Sequence, residues 1–121
     1  MSKSISRSIA IAAMFFFTFL SAQSFGFTQG DVNQLQNTGS CKKCDLENAD
    51  LSGVDLSNAT LEKAVMNGIN LSGANLTDAN LSSANLSGAT LHGAEVSGAS
   101  FSGATFCKTI TSDGETDSSG C

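Results

Sequence analysis

Residues 44–108 read CDLEN ADLSG VDLSN ATLEK AVMNG INLSG ANLTD ANLSS ANLSG ATLHG AEVSG ASFSG ATFCK, one five-residue phrase repeated thirteen times without insertion. In a helix, five residues turn about 500°, so successive large residues would lie about 140° apart and form no apolar stripe. In an extended chain, alternate residues face the same side. Because positions one and three are apolar and positions four and five favour turns, each phrase is predicted to be three extended residues and a corner.

The predicted interior alternates small and large side chains, since the first position is mostly Ala and the third is mostly Leu. The fifth position is Gly in seven phrases, and Asn48, Asn58 and Asp78 also tolerate a positive φ. A corner that recurs at a constant period closes the chain into stacked coils around one column. The third-position residues predicted to form this core are Leu46, Leu51, Leu56, Leu61, Met66, Leu71, Leu76, Leu81, Leu86, Leu91, Val96, Phe101 and Phe106.

The A-(D/N)-L-x-x phrase resembles the pentapeptide-repeat family, and the resemblance covers 65 of the 121 residues. It implies an all-β solenoid, a right-handed quadrilateral (four-sided) β-helix with four phrases in each coil. Thirteen phrases would then make about three coils, a rod about 16 Å tall at the usual strand spacing. Because members of the family differ widely in function, the resemblance implies a fold and not an activity.

Residues 1–24 are predicted to be a signal peptide, with two basic residues followed by an apolar run over 9–20. The run is shorter than the roughly 20 residues that span a bilayer, although a retained membrane anchor is the alternative. Cleavage is predicted after Ser24 or after Gly26. We therefore expect export to the periplasm, a lumen or the medium, with no membrane attachment after cleavage.

Residues 25–43 are predicted to form an N-terminal cap that contains a short helix over 31–38, with Asp31 as its N-cap and Gly39 as its stop. A stack of coils exposes backbone groups at each end, and a cap prevents further stacking. The side chains expected to cover the first coil are Phe27, Val32 and Leu35.

Residues 109–121 form an acidic, turn-rich tail, in which we expect Ile110 to cover the last coil. Phe101 and Phe106 indicate a wider end there. Either the tail or another chain must cover it, so a homo-oligomer formed through a coil end is possible.

The four cysteines outside the signal are an even number, which in an exported small domain indicates disulfides. On the rod that the resemblance implies, Cys44 and Cys107 lie about 16 Å apart along the axis, well beyond disulfide reach. We therefore predict the pairs Cys41–Cys44 and Cys107–Cys121. One alternative is a redox-active Cys41/Cys44 pair beside two lysines, and another is a zinc site.

The residue pattern argues against an enzyme. His92 is the only histidine, it lies at an outward position, and the sequence has no phosphate-binding or nucleophile motif. We predict no cofactor, no metal and no catalytic residue. Without residues 1–24 the chain has four basic and eleven acidic residues, a net charge of −7 that repels nucleic acid.

The predicted function is that of an exported, non-catalytic structural or protein-interaction module with an unknown protein partner. The family also suggests an alternative, a DNA-mimicking decoy of a topoisomerase. The export signal and the short rod disfavour that alternative.

Overall fold

The computed structural model describes residues 26–121, so the predicted signal peptide lies outside the described residues. These residues contain one helix, α1 (Gln29–Thr38), and two short strands, β1 (Thr109–Ile110) and β2 (Thr116–Asp117). Between α1 and β1 the chain is a stack of coils joined by isolated parallel bridges.

The stack repeats every twenty residues, which corresponds to four phrases per coil. Asp45 bridges Val65, Val65 bridges Asn85, and Asn85 bridges Thr105. From Cys41 to Gly93, the third and fifth residues of the phrases donate backbone hydrogen bonds to the next coil, as Leu46 does to the Val65 carbonyl at 2.8 Å. Because a corner follows every few residues, each predicted three-residue strand is reduced to a single bridge at its second position.

The corners are formed by fifth-position residues with positive φ, from Lys43 to Lys108 without exception. Most of these residues are Gly, Asn or Asp, as predicted, but Lys63 and Ser83 also adopt φ values of 61° and 60°. This conformation is unfavourable for an L-residue with a β-carbon. At Lys63 it accompanies a hydrogen bond from the backbone N–H to the Ser82 carbonyl of the next coil, at 2.8 Å.

The repeating geometry extends one phrase beyond each predicted boundary. Ser40 bridges Thr60, and Thr90 bridges Ile110, with the same period as the bridges inside the repeat. The coils therefore run over residues 39–113 rather than 44–108. The two added phrases lack the Leu and Asx signature, which is why the sequence pattern did not identify them.

The interior column is apolar and is closed by α1 at its N-terminal end. Of the thirteen residues predicted to form the core, the ten from Leu46 to Leu91 are buried. The last three, Val96, Phe101 and Phe106, are partly buried and pack against the core. They lie in the last coil, where no complete coil follows to cover them.

Helix α1 begins earlier than predicted, and Asp31 is not its N-cap. Thr28 takes that position, and the Asp31 carboxylate instead accepts a 2.7 Å hydrogen bond from the backbone N–H of Asp45 in the first coil. Gly39 ends the helix with φ 73°, and its N–H donates to the Leu35 carbonyl. Val32 and Leu35 are buried, and Phe27 packs against the core beside an antiparallel bridge to Leu46.

The tail folds back on the last coil as an antiparallel hairpin of β1 and β2. Ile110 does not cover the interior as predicted, because the repeat phase continues and places it at an outward second position. Thr109 takes the inward place instead, fully buried, and its hydroxyl donates to the Leu86 carbonyl at 2.7 Å. That hydrogen bond satisfies a polar group inside an apolar column.

The inward register leads to a test at two adjacent residues. Leu76→Ala should lower the free energy of unfolding by about 2–5 kcal/mol, because Leu76 is fully buried in the middle of the stack. Asn75→Ala should cost about 0.5–1.5 kcal/mol, since it removes hydrogen bonds to Thr77 at the surface. Urea denaturation measures both, and equal costs would contradict the register.

The corner geometry leads to a second test, which uses one substitution at two sites. Gly73→Ala should destabilise by about 1–2 kcal/mol although the space around it is open, because Gly73 has φ 69°. Gly30→Ala lies within α1 at an ordinary φ and should stabilise by up to about 1 kcal/mol. Thermal unfolding would refute this account of the corners if the two changes had the same sign.

Candidate interaction surface

The flat faces of the rod carry polar side chains that hydrogen-bond within their own phrase. The Asn75 side-chain oxygen accepts hydrogen bonds from the backbone N–H and the hydroxyl of Thr77, at 3.0 and 2.6 Å. Such local bonds favour the turn over other conformations and occupy the polar groups. The same pairing occurs at Asp50–Ser52, Asp55–Ser57, Asn80–Ser82, Asn85–Ser87 and Glu95–Ser97.

Charge is concentrated near the N-terminal end of the rod. Asp45, Asp50 and Asp55 occupy second positions of the first coil, where later coils mostly have Asn or Thr. On a neighbouring corner, the Lys42 ammonium lies 3.0 Å from the Glu62 carboxylate. The hydrogen bond and charge of Lys42 lower the pKa of Glu62 below its ordinary value. Lys42 is exposed and Glu62 is partly exposed, so water screens the pair and it contributes little to stability.

Phrase 64–68 interrupts the polar pattern in the middle of the rod. Val65 takes a second position between Asp45 and Asn85, with 38% of its surface exposed. In the same phrase, the buried side-chain oxygen of Asn67 has no hydrogen-bond partner among the described residues. A single exposed apolar residue is common on soluble proteins and does not by itself indicate a binding site.

The four cysteines lie in two pairs at opposite ends of the rod. The Cα atoms are 5.3 Å apart in Cys41–Cys44 and 4.7 Å apart in Cys107–Cys121, within the range of a disulfide. Cys41 is inward-facing, because its phrase belongs to the first coil, so it meets the inward Cys44 directly. Both are buried, which disfavours the redox-active alternative, since a reactive thiol must be accessible.

The titratable side chains of residues 26–121 show no arrangement suited to acid–base chemistry. His92 is exposed and lies beside the turn at Gly114. The hydroxyl of Thr111 lowers the pKa of Asp113, and hydrogen bonds from Ser119 lower that of Asp117. These bonds favour the charged carboxylates.

No group of His, Cys, Asp and Glu side chains within residues 26–121 is placed to hold a metal ion. In the same part of the chain, no helix is long and apolar enough to cross a membrane.

The C-terminal end of the rod is only half covered. The tail lies over phrases 104–108 and 109–113, through the β1–β2 pairing and a 2.6 Å hydrogen bond from the Gly120 N–H to the Phe106 carbonyl. Phrases 94–98 and 99–103, which we call the open edge, have no layer above them. Five of their backbone N–H groups have no protein partner in the described structure, those of Val96, Gly98, Phe101, Ser102 and Gly103, and the third- and fifth-position groups among them are the ones that bond to the next coil elsewhere in the rod.

Sequence reasoning missed the open edge, because a periodic pattern does not show which sides a non-repeating tail will cover. The one available signal was the change from Leu to Phe at positions 101 and 106. Their rings contact one another, with centroids 5.7 Å apart.

Comparison with known families gives one match. The family described as Pentapeptide repeats matches residues 40–68 and 69–106, more than half of the chain. No curated protein matches the sequence significantly.

Several solved structures are similar. A pentapeptide repeat protein from Nostoc PCC 7120 is 30% identical, with 58% of this chain and 66% of that chain covered and a TM-score of 0.26. HetL, from Nostoc sp. strain PCC 7120 and involved in heterocyst differentiation regulation, is 28% identical over 68% of this chain and 53% of its own, with a TM-score of 0.27.

A pentapeptide repeat protein from the Arabidopsis thaliana thylakoid lumen is 28% identical, with 59% of this chain and 64% of that chain covered and a TM-score of 0.23. The chain therefore spans less than two thirds of the length of each of these three proteins.

The two cysteine pairs should differ in their rate of reduction. Cys121 is exposed and Cys107 is half-buried, whereas Cys41 and Cys44 lie in the core. Dithiothreitol without denaturant should therefore reduce Cys107–Cys121 first, because a buried sulfur is shielded from the attacking thiolate. Differential alkylation and peptide mapping measure the order, and a Cys44–Cys107 link or the reverse order would contradict the arrangement.

Proposed function

This chain belongs to the pentapeptide-repeat family, whose members fold as right-handed quadrilateral β-helices, and we propose that it is an exported, non-catalytic structural or protein-interaction module. In this proposal the rod of nearly four coils is a rigid spacer. Its N-terminal end is closed by α1, and its outer surface and C-terminal end meet another protein.

The observation that carries the proposal is the filled interior. From Leu35 to Leu91, the large inward side chains are buried in one apolar cluster. A small molecule therefore meets only the outer faces of the described rod. On those faces the polar side chains already hydrogen-bond within their own phrases, an arrangement that suits contact with a macromolecule over a broad surface better than capture of a substrate.

Two features support export. Residues 1–24 have the order of a signal peptide, a basic start followed by a short apolar run and small residues. The cysteines at each end of the rod lie at disulfide distance, and disulfides persist in oxidising compartments.

Cell fractionation with N-terminal sequencing of the purified protein tests the proposal. We expect the protein in an exported fraction, beginning at Phe25 or Phe27 after cleavage. The matched control replaces two apolar residues, Phe16→Asp and Phe17→Asp, which should leave an uncleaved precursor because the apolar run is interrupted. An intact N-terminus on cytoplasmic wild-type protein would contradict export and restore the case for a cytoplasmic decoy.

A further inference from the structure

The tail forms half of an additional layer on the C-terminal end of the rod. Strand β2 runs back over phrase 109–113, and residues 119–121 run back over phrase 104–108, held by the Gly120 hydrogen bond and the Cys107–Cys121 pair. No residue of 26–121 forms the other half of that layer, above the open edge. Beneath it Val96 and Phe101 are only partly buried.

We propose that a second copy of this chain docks on the open edge, with the two C-terminal ends facing, so that each tail fills the half-layer that the other lacks. The two copies are related by a two-fold axis perpendicular to the rods, which passes through the corner between phrases 99–103 and 104–108. This rotation places the covered sides of each copy over the uncovered sides of the other. The two tails together then complete one shared layer between the two rods.

In this arrangement the partner's β2 lies along phrase 94–98, and the end of the partner's tail lies along phrase 99–103. Strand β2 is paired on one edge only, with β1 of its own chain, so its second edge can pair with an open edge. The N–H groups of Val96, Gly98, Phe101 and Gly103 are the donors available to it. Exposed edges of this kind readily pair with another chain.

The shape of the open edge favours a second copy over an extended peptide. The edge turns a corner at Gly98, where φ is 73°, so a straight peptide could pair with one side only. The tail of this chain already turns a corner between β2 and Gly120, following the same square outline. It would cover both sides and the apolar side chains beneath them.

The association should stop at two copies. At the N-terminal end of the described rod, α1 packs Val32 and Leu35 against the column, and the bridge between Phe27 and Leu46 occupies the edge at phrase 44–48. An isologous contact between identical surfaces closes on itself, whereas a head-to-tail contact would continue into a filament.

The dimer should be weak and should tighten with salt. Half of the end of a small rod is much less than the roughly 800 Å² per partner typical of stable complexes, so a dissociation constant in the micromolar range or above is expected. The arrangement also brings Glu95 towards the acidic Glu115 and Asp117 of the partner's tail, and salt screens that repulsion.

Two measurements on the protein, purified in its exported and oxidised form, test the proposal. Analytical ultracentrifugation measures the oligomeric state, and spin labelling measures distances between the two copies. We expect a concentration-dependent monomer–dimer equilibrium without larger species. The matched variants Ser102→Cys and Ser52→Cys place a label on exposed fourth positions of the last and the first coil. In the dimer the labels should lie about 20 Å apart for the first variant and about 40 Å apart for the second, from the spacing of the coils.

A second pair of variants tests whether the dimer depends on the backbone of the open edge, and both variants should keep the fold. Val96→Pro deletes an N–H that makes no hydrogen bond within the described chain, so the melting temperature should change little while the dimer weakens at least tenfold. Val96→Ala keeps the N–H and should weaken the dimer much less.

The proposal is overturned by a protein that stays monomeric at millimolar concentration in 0.5 M salt, by larger polymers, or by a short distance at position 52. Equal effects of Val96→Pro and Val96→Ala would also overturn it, because the contact would then not depend on the backbone edge.

Discussion

The whole structure depends on a corner that must recur at every fifth residue in a backbone conformation unfavourable to most residues. Fourteen successive fifth positions, from Lys43 to Lys108, have positive φ, and several are not glycine. Lys63 and Ser83 adopt this conformation while their backbone N–H groups donate to the Ser82 and Ser102 carbonyls of the next coil, so residue preference alone does not set the corner. Once each corner is set, the first and third positions point inward and the bridges between coils follow.

Most of the fold could be predicted from this periodicity. The inward positions, the polar outward positions and Gly39 as the helix stop follow from local rules that apply to each residue. The limits of the coil stack could not be predicted, because the bonds between coils are made by the backbone. Phrases 39–43 and 109–113 therefore join the stack without the Leu and Asx residues that identify the repeat.

The candidate site was less predictable than the fold. Asp31 has the residue type of an N-cap, yet its carboxylate binds the first coil, which depends on how α1 lies across the end of the rod. The partial exposure of Val96 and Phe101 depends on the path of a tail that has no repeat. Both are tertiary effects that a local pattern does not contain. The open edge became visible only when unpaired backbone groups could be assigned to particular sides.

The twenty-residue period of the bridges also has a consequence for the evolution of this chain. Gain or loss of a single phrase would preserve every local bond type but would rotate the C-terminal half by a quarter turn relative to α1. Gain or loss of four phrases would change the length and keep the orientation. Duplication within such a gene can thus change the rotation of one end of the rod relative to the other independently of the rod's length. The relative orientation of the two ends can change in this way while the packing between coils stays the same.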